Sequence, residues 1–375
     1  MRTRSCAKER LRAGLGIALG IVGLLGVGVG ALRLSPVAFD LVIPPGVSTT
    51  FAFQVTNDET EPLELRVRLC DWLRDLAGVN RFCEEAGEVA RSATSWVEVG
   101  PREFTLNPGE SQEVRVTLTA PEAAPDGSPL DGSYWTAVMV EAVPPSEGGE
   151  QPGTEVVVKR RFGLKIVATI AGTGRLEGQI VALERHGLNP LWLTLDFENR
   201  GTLNIPEVQG RVEVRDVRGE TLETIPLEPF PVLPGYARRV IAASARPPGE
   251  RLPAGDYVVL AVLDYGGEAL VGAQLLLRVP ALALVPLAEG AGVPQDLDGD
   301  GFYEDVDGNG ALTEDDPALL GTHLETEAVR ANWPAFDFDN DGDVDFDDVL
   351  TLHALRQSQD GSNPDPDPDP DSGSG

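Results

Sequence analysis

Asp337, Asp339, Asp341, Asp345 and Asp348 stand at positions 1, 3, 5, 9 and 12 of a twelve-residue stretch with Gly342 at position 6. Alternate side chains of a tightly wound loop converge on one centre, and carboxylates so placed offer the oxygen shell that a hard, seven-coordinate cation requires. The position-7 carbonyl of Asp343 adds an oxygen, Gly342 allows the sharp turn, and Val344 packs inward between ligands. Residues 305–316 repeat the pattern: Asp305, Asp307, Asn309, Ala311, Thr313 and Asp316 occupy positions 1, 3, 5, 7, 9 and 12, with Gly310 at 6. The expected chemistry is calcium binding, with two ions. A third, overlapping match begins at Asp296, Asp298 and Asp300, where Asp307 would serve as position 12 and also as position 3 of the next loop. One carboxylate can do both only between adjacent cations, so a third ion stands open against a plain linker.

Each loop must be held by the element it opens. After Asp347 and Asp348 the apolar residues Val349, Leu350, Leu352, Ala354 and Leu355 recur near helical period, with acids at the positive end of the helix dipole. Two such EF-hand-like loops, whose first residues are 32 positions apart, resemble a type I dockerin, the module that plugs into cohesin domains of cell-surface or cellulosomal scaffolds. The resemblance implies a calcium-dependent docking module over residues 296–357 and a cohesin-like or other surface protein as partner. Positions 10 and 11, where dockerins carry their cohesin-reading residues, hold Glu314 and Asp315 in one loop and Phe346 and Asp347 in the other.

Charge separates this segment from the rest. The 375 residues carry 60 acids and 30 Lys+Arg, a net charge of −30, and 23 of those acids but only 2 of the bases lie from Asp296 onward. So negative a chain argues against a nucleic-acid partner, whose phosphates need a basic surface. From residue 358 the Asp-Pro repeats and Ser-Gly end cannot bury a core and are expected to be disordered. At the other end Arg2, Arg4, Lys8, Arg10 and Arg12 precede 19 uncharged residues, 13–31, which read as an export signal over 1–35. The segment is either cleaved or kept as a membrane anchor, the only membrane contact expected.

An exported chain with Cys70 and Cys83 as its remaining cysteines is expected to join them. A hairpin centred on Asp75–Gly78 would set the two opposite one another, since residues 63–70 alternate as a strand with one buried face.

With 42 glycines and 30 prolines, the bulk should be strand and turn. Strands are expected at 38–43, 48–55, 63–70, 96–99, 111–119, 133–141 and 155–170, then at 191–199, 209–216, 237–243, 257–264 and 269–279, punctuated by turns such as Pro44-Pro45-Gly46 and Asn107-Pro108-Gly109. The fold class is therefore mainly β: two immunoglobulin-like β-sandwiches, over 36–172 and 173–285, a linker at 286–295, and a small helical double-loop module. Phe51-Ala-Phe-Gln-Val-Thr-Asn57, Ser95-Trp96-Val-Glu-Val-Gly-Pro101 and Gly132-Ser-Tyr134-Trp135 resemble the immunoglobulin-like N-terminal domain of pilus periplasmic chaperones and of uncharacterised exported bacterial proteins. Those chaperones grip a pilin's C-terminal carboxylate with basic residues and donate a hydrophobic strand, which here falls at 155–170. Lys159 and Arg161 in that strand read as a solvated face opposite Phe162 and Leu164.

Enzyme signatures are missing: His186, His323 and His353 are isolated, and no nucleophile elbow, phosphate loop or zinc helix occurs. Trp72, Trp96, Trp135 and Trp192 are residues that stack on sugars, but sandwich cores use tryptophan commonly, and a core role is expected over carbohydrate binding. The sequence thus reads as an exported, non-catalytic protein that docks through a calcium module; the alternative is a periplasmic chaperone or assembly factor for pilus-like surface fibres.

Overall fold

Alternation of apolar and polar side chains, seen in Leu63-Glu-Leu-Arg-Val-Arg-Leu-Cys70 and in Val114-Arg-Val-Thr-Leu118, gives each strand one face to bury. The computed structural model describes residues 19–20, 32–82, 89–143, 160–247 and 249–360. Among them no helix is long and apolar enough to cross a membrane. Of the expected export segment 1–35, only Leu19–Gly20, which ladder with Leu41 and Asp40, and Leu32–Ser35 are described; the latter pair with Gln54–Asn57 and bury Leu32 and Leu34 in the sandwich core, so the sandwich begins before residue 36.

The chain divides into two compact units. The first runs to Glu177 and takes in Asn199–Pro206 and Pro231–Tyr236; the second comprises Gly178–Glu198, Glu207–Phe230 and the chain from Ala237 onward. In the first unit the strands are β1 (Leu19–Gly20), β2 (Leu32–Ser35), β3 (Ala38–Ile43), β4 (Ser48–Asn57), β5 (Leu63–Cys70), β6 (Trp72–Arg74), β7 (Asn80–Phe82), β8 (Val97–Gly100), β9 (Glu103–Leu106), β10 (Ser111–Thr119), β11 (Ser133–Ala142) and β12 (Arg161–Ile170). Two sheets, in the orders β1-β3-β12-β11-β5-β9 and β2-β4-β10-β8, close on a core that includes Leu41, Ile43, Phe53, Val55, Val114, Val116, Leu164 and Ile166. β12 pairs antiparallel with β11 and parallel with β3, so both of its edges are hydrogen-bonded.

One hairpin departs from expectation. β6 and β7 pair Trp72 with Phe82 and Arg74 with Asn80, one residue further along than a turn centred on Asp75–Gly78 would set. The loop is longer because Asp75 N donates to Val79 O at 3.0 Å while the Asp75 carboxylate accepts from Val79 N at 2.8 Å, with Gly78 at φ +84°. The observed register therefore withdraws the argument that it sets Cys70 opposite Cys83. Cys70 is buried, and Cys83 lies outside the described residues, as do 155–159 of the expected strand 155–170.

The second unit holds β13 (Gly178–Leu188), β14 (Leu191–Asn199), β15 (Ile205–Asp216), β16 (Thr221–Val232), β17 (Ala237–Ala243), β18 (Gly255–Asp264) and β19 (Val271–Val279), save the strand ends Asn199, Ile205–Pro206 and Pro231–Val232 that belong to the first, in sheets ordered β13-β14-β17 and β16-β15-β18-β19. Leu193, Leu195, Val212, Val214, Val259 and Leu263 are fully buried between them. The same unit contains the helices α1 (Asp315–His323), α2 (Glu327–Arg330) and α3 (Phe346–Asp360). They enclose a small core of Val306, Leu320, Val329, Ala335, Phe336, Phe338, Val349 and Leu352. Residues expected as linker bond to this segment, with Gly292 N donating to Asp307 O at 2.6 Å and Gln295 N to Asp305 O at 3.0 Å. Helix α3 continues to Asp360, so 358–360 are helical where disorder was expected; 361–375 lie outside the described residues.

Candidate metal centre

A loop that must gather carboxylates needs donors to hold them still, and here the loop's own amides do so. Asp337 Oδ1 and Oδ2 accept from Asp341 N and Gly342 N at 3.0 and 3.2 Å. Asp348, in the first turn of α3, closes the ring by accepting from Asp339 N at 3.3 Å and Asp345 N at 2.8 Å. The upstream loop repeats this wiring: Asp305 accepts from Asn309 N and Gly310 N at 2.9 and 2.7 Å, and Asp316, in the first turn of α1, from Asp307 N and Thr313 N at 3.1 and 2.6 Å. The helix therefore places the last carboxylate against the third residue of its own loop, twice over.

Oxygens of Asp337, Asp339 and Asp341 lie within 4.8 Å of one another, as do those of Asp305, Asp307 and Asp316. Asp343, Asp345 and Asp348 stand outside the first of these groups, the first two exposed and Asp348 buried; Asn309 and Thr313 bond within their loop, to Ala311 N and to the Asp316 carboxylate. Asp305, Asp316, Asp337 and Asp348 are at most 2% exposed, yet none forms an ion pair with a described arginine or lysine. Burying ionised carboxylates without a cation is costly. Burial, reinforced by the neighbouring Asp348 and Asp341, accordingly pushes Asp337 up to about 7, and burial with Asp339 nearby pushes Asp348 up to about 6. Asp305 is shifted upward by burial and by Asp316. Oxygen donors converging in this way, with no histidine or cysteine among them, suit a hard divalent cation such as calcium.

The second loop is also fastened from outside. Asn340, at φ +55°, presents Oδ1 to the amides of Leu188 and Asn189 at 3.1 Å each, and its Nδ2 donates to Pro190 O at 3.0 Å. Trp192 Nε1 donates to Asn340 O at 2.7 Å while its ring stacks on His186 at 4.3 Å. Arg185 Nη2 reaches Gly342 O at 3.3 Å, with the guanidinium 4.8 Å over the Trp333 ring. The approach is close enough that a Cβ on Gly187 would overlap the Asn340 amide. The β13–β14 turn thus reads the backbone of the loop. No motif marks this contact in the sequence, because Asn340, Trp192 and Arg185 meet main-chain groups 148 to 157 residues away, and Gly187 the Asn340 amide, with no spacing of their own.

Trp72 and Trp135 are buried in one cluster, exchanging hydrogen bonds with main-chain carbonyls, and Trp96 packs on Tyr134; only Trp192 was misplaced by the core reading. A second feature escaped the sequence. Lys165 of β12 lies 4.9 Å over the Trp72 ring, with Arg74 5.8 Å from the same ring. Desolvation, then the charge of Arg74, lowers the Lys165 ammonium to about 8, and it has no ion-pair partner among the described residues. Val167, two residues on and buried, was the available signal that this face of β12 is covered.

No family model matches the chain, and no curated protein matches it. Among solved structures it is similar to one reported for a chaperone–tip adhesin complex of CFA/I fimbriae, at 14% identity and a TM-score of 0.34, over 67% of this chain and 100% of that one. It is similar also to the Escherichia coli chaperone DraB, at 18% identity and a TM-score of 0.31 over 65% and 98% of the two chains. A structure of the Salmonella enterica SafA pilin with the SafB chaperone gives 16% identity and a TM-score of 0.31 over 68% and 99%. These are likenesses of β-sandwich architecture at low identity.

Proposed function

We propose that the chain is an exported, non-catalytic surface or scaffold protein whose C-terminal segment is organised by calcium and docks to a partner protein. The observation that supports it is the set of four buried carboxylates, Asp305, Asp316, Asp337 and Asp348, closed into two rings with no cationic side chain among the described residues to pair with them. Two calcium ions satisfy both rings. The docking face is the exposed side of α3, where Phe346 and Leu350 are 60% and 51% exposed one helical turn apart. A cohesin-like or other surface protein would contribute the apolar pocket. Calcium titration of the full chain by calorimetry tests the first half of the proposal, and the absence of heat at millimolar calcium would end it. Phe346→Ser should weaken calcium-dependent capture of a surface partner without altering that titration.

A second reading, a chaperone or assembly factor for surface fibres, is favoured by Lys165 and Arg74, two cations on one indole where a carboxylate could be received. The strand that such a factor would lend is restricted, since Arg161–Ile170 is already paired on both edges. Binding of a C-terminal pilin-like peptide that disappears in Lys165→Met, with calcium chelated throughout, would favour this reading over the first.

A further inference from the structure

The acidic segment opens with carboxylates that neither twelve-residue loop uses. Asp296 Oδ1 and Oδ2 accept from Gly299 N and Gly301 N at 2.7 and 2.9 Å, Asp298 accepts from Asp300 N at 3.0 Å, and Asp300 accepts from Phe302 N at 2.8 Å. The sequence offered Asp307 as the closing residue of this stretch. Asp307 is engaged elsewhere: it groups with Asp305 and Asp316, and its two oxygens accept from the backbone and side-chain amides of Asn309. Glu304 takes the closing place, and an oxygen of Asp296, Asp298, Asp300 and Glu304 each lies within 4.8 Å of the others.

Glu304 is the telling member. It is only 8% exposed; Oε1 accepts from Leu297 N at 3.2 Å, while the buried Oε2 has no hydrogen-bond partner at all. A buried carboxylate oxygen left without a donor carries an uncompensated desolvation cost. Among the described residues no lysine or arginine pairs with any of the four carboxylates. Arg251 lies close enough to feel the charge of Asp296 and Asp300, and its Nε, 2.6 Å from where a Cβ on Gly301 would stand, is buried without a hydrogen-bond partner; it forms no ion pair with them, its Nη2 donating to Pro334 O at 2.9 Å and its guanidinium lying 5.8 Å over Phe302.

We propose that Asp296, Asp298, Asp300 and Glu304 form a third site for a hard divalent cation, closed by Glu304 and not by Asp307. Four carboxylates and no nitrogen or sulfur ligand select oxygen-preferring ions, and naming that ion calcium rests on the reading of the two longer loops given above. The third ion needs no bridging carboxylate, so its occupancy is independent of the ion at 305–316. Its place gives it a distinct task. Asp300 O accepts from Asn189 Nδ2 at 2.8 Å, and Asn189 is also the residue whose amide meets Asn340. The third ion therefore shapes the second of two loops that the β13–β14 turn holds.

Bound calcium counted by equilibrium dialysis on the full chain tests the site. Three ions on the wild type and two on Glu304→Gln are expected, with the same loss in Asp298→Asn, an exposed position whose change leaves the fold intact by circular dichroism. Asp307→Asn should lose the ion of 305–316 and keep the one that depends on Glu304. Two ions on both wild type and Glu304→Gln would overturn the third site and leave the two-loop reading standing. Three on both would overturn the role of Glu304, and none on either would overturn both readings together.

Discussion

Trp192 donates its indole N–H to the main-chain carbonyl of Asn340, 148 residues further along the chain, at 2.7 Å. A strand of the second sandwich thereby bonds the fourth residue of the acidic loop 337–348, whose side chain caps the Leu188 and Asn189 amides in return. Asn340→Ala removes that cap and leaves two amides short of an acceptor, which should cost about 1–3 kcal/mol. Asn340→Gly keeps the left-handed backbone conformation and should recover part of the loss. Chemical denaturation of the calcium-loaded chain, followed through Trp192 fluorescence, measures both; equal midpoints for Asn340→Ala and wild type would show the contact to be idle.

Removal of calcium should act on helices and spare strands. The sandwiches bury their apolar residues without help from these carboxylates, whereas α1 and α3 each begin at a carboxylate that closes a loop. Excess chelator on the full chain should erase the helical part of the circular dichroism spectrum, retain the strand signal, and open Arg330 and Arg356 to trypsin. Retention of both signals under chelation would contradict it.

Asp348→Ala should remove one ion and fray α3 from its first turn, because the amides of Asp339 and Asp345 lose their acceptor and the helix its N-terminal anion. Asp345→Ala, at an exposed position where Asp348 is buried, should weaken the same ion by a smaller factor. Calcium affinities of the two variants, measured side by side, give the order.

Lys165 sets a pH dependence of opposite sign to that of a paired lysine. Its folded value of about 8 lies below the unfolded value of 10.5, so the unfolded chain binds more protons between them and the first unit should gain stability as pH rises across that interval. Any carboxylate received beside Arg74 needs the charged ammonium, so its binding should fade as pH climbs through about 8. Lys165→Met should flatten both profiles.

If the chain is exported as proposed, Cys70 and Cys83 should be bridged, and peptide mapping without reductant should recover the two linked. In the chain-entropy model a loop of this size contributes about 3 kcal/mol, so the double serine variant should fold with a lower melting temperature. Complete alkylation of both thiols in the unreduced, denatured chain would rule the bridge out.

Several strands were legible to the residue. Ala38–Ile43, Leu63–Cys70, Ser111–Thr119, Leu191–Asn199 and Ala237–Ala243 begin and end where alternation does, since one buried face is all that a sandwich strand requires. Glu103–Leu106 and Gly178–Leu188 were not, the first because four residues give alternation no room, the second because Glu184, Arg185 and His186 interrupt the apolar face. The spacing in the sequence matches where Asp337, Asp339 and Asp341 gather and where Asp305, Asp307 and Asp316 gather, while Asp348 stands outside the first of these groups and meets its loop through the amides of Asp339 and Asp345. Glu304 could not be read as a closing residue, because a nine-residue loop and a twelve-residue loop share their first six positions and diverge only in space. Lys165 was hidden for another reason: which face of β12 is solvated depends on what the rest of the chain lays over it.

Gly187 has no side chain, and so a scan that works by trimming side chains passes over it in silence. The contact it serves is detected by adding bulk. A methyl group there would meet the Asn340 amide while touching no carboxylate of any loop. Gly187→Ala is thus a wedge that should pry the acidic segment from the second sandwich with every carboxylate left in place, separating clasping from any loading by a cation, which every carboxylate substitution would confound.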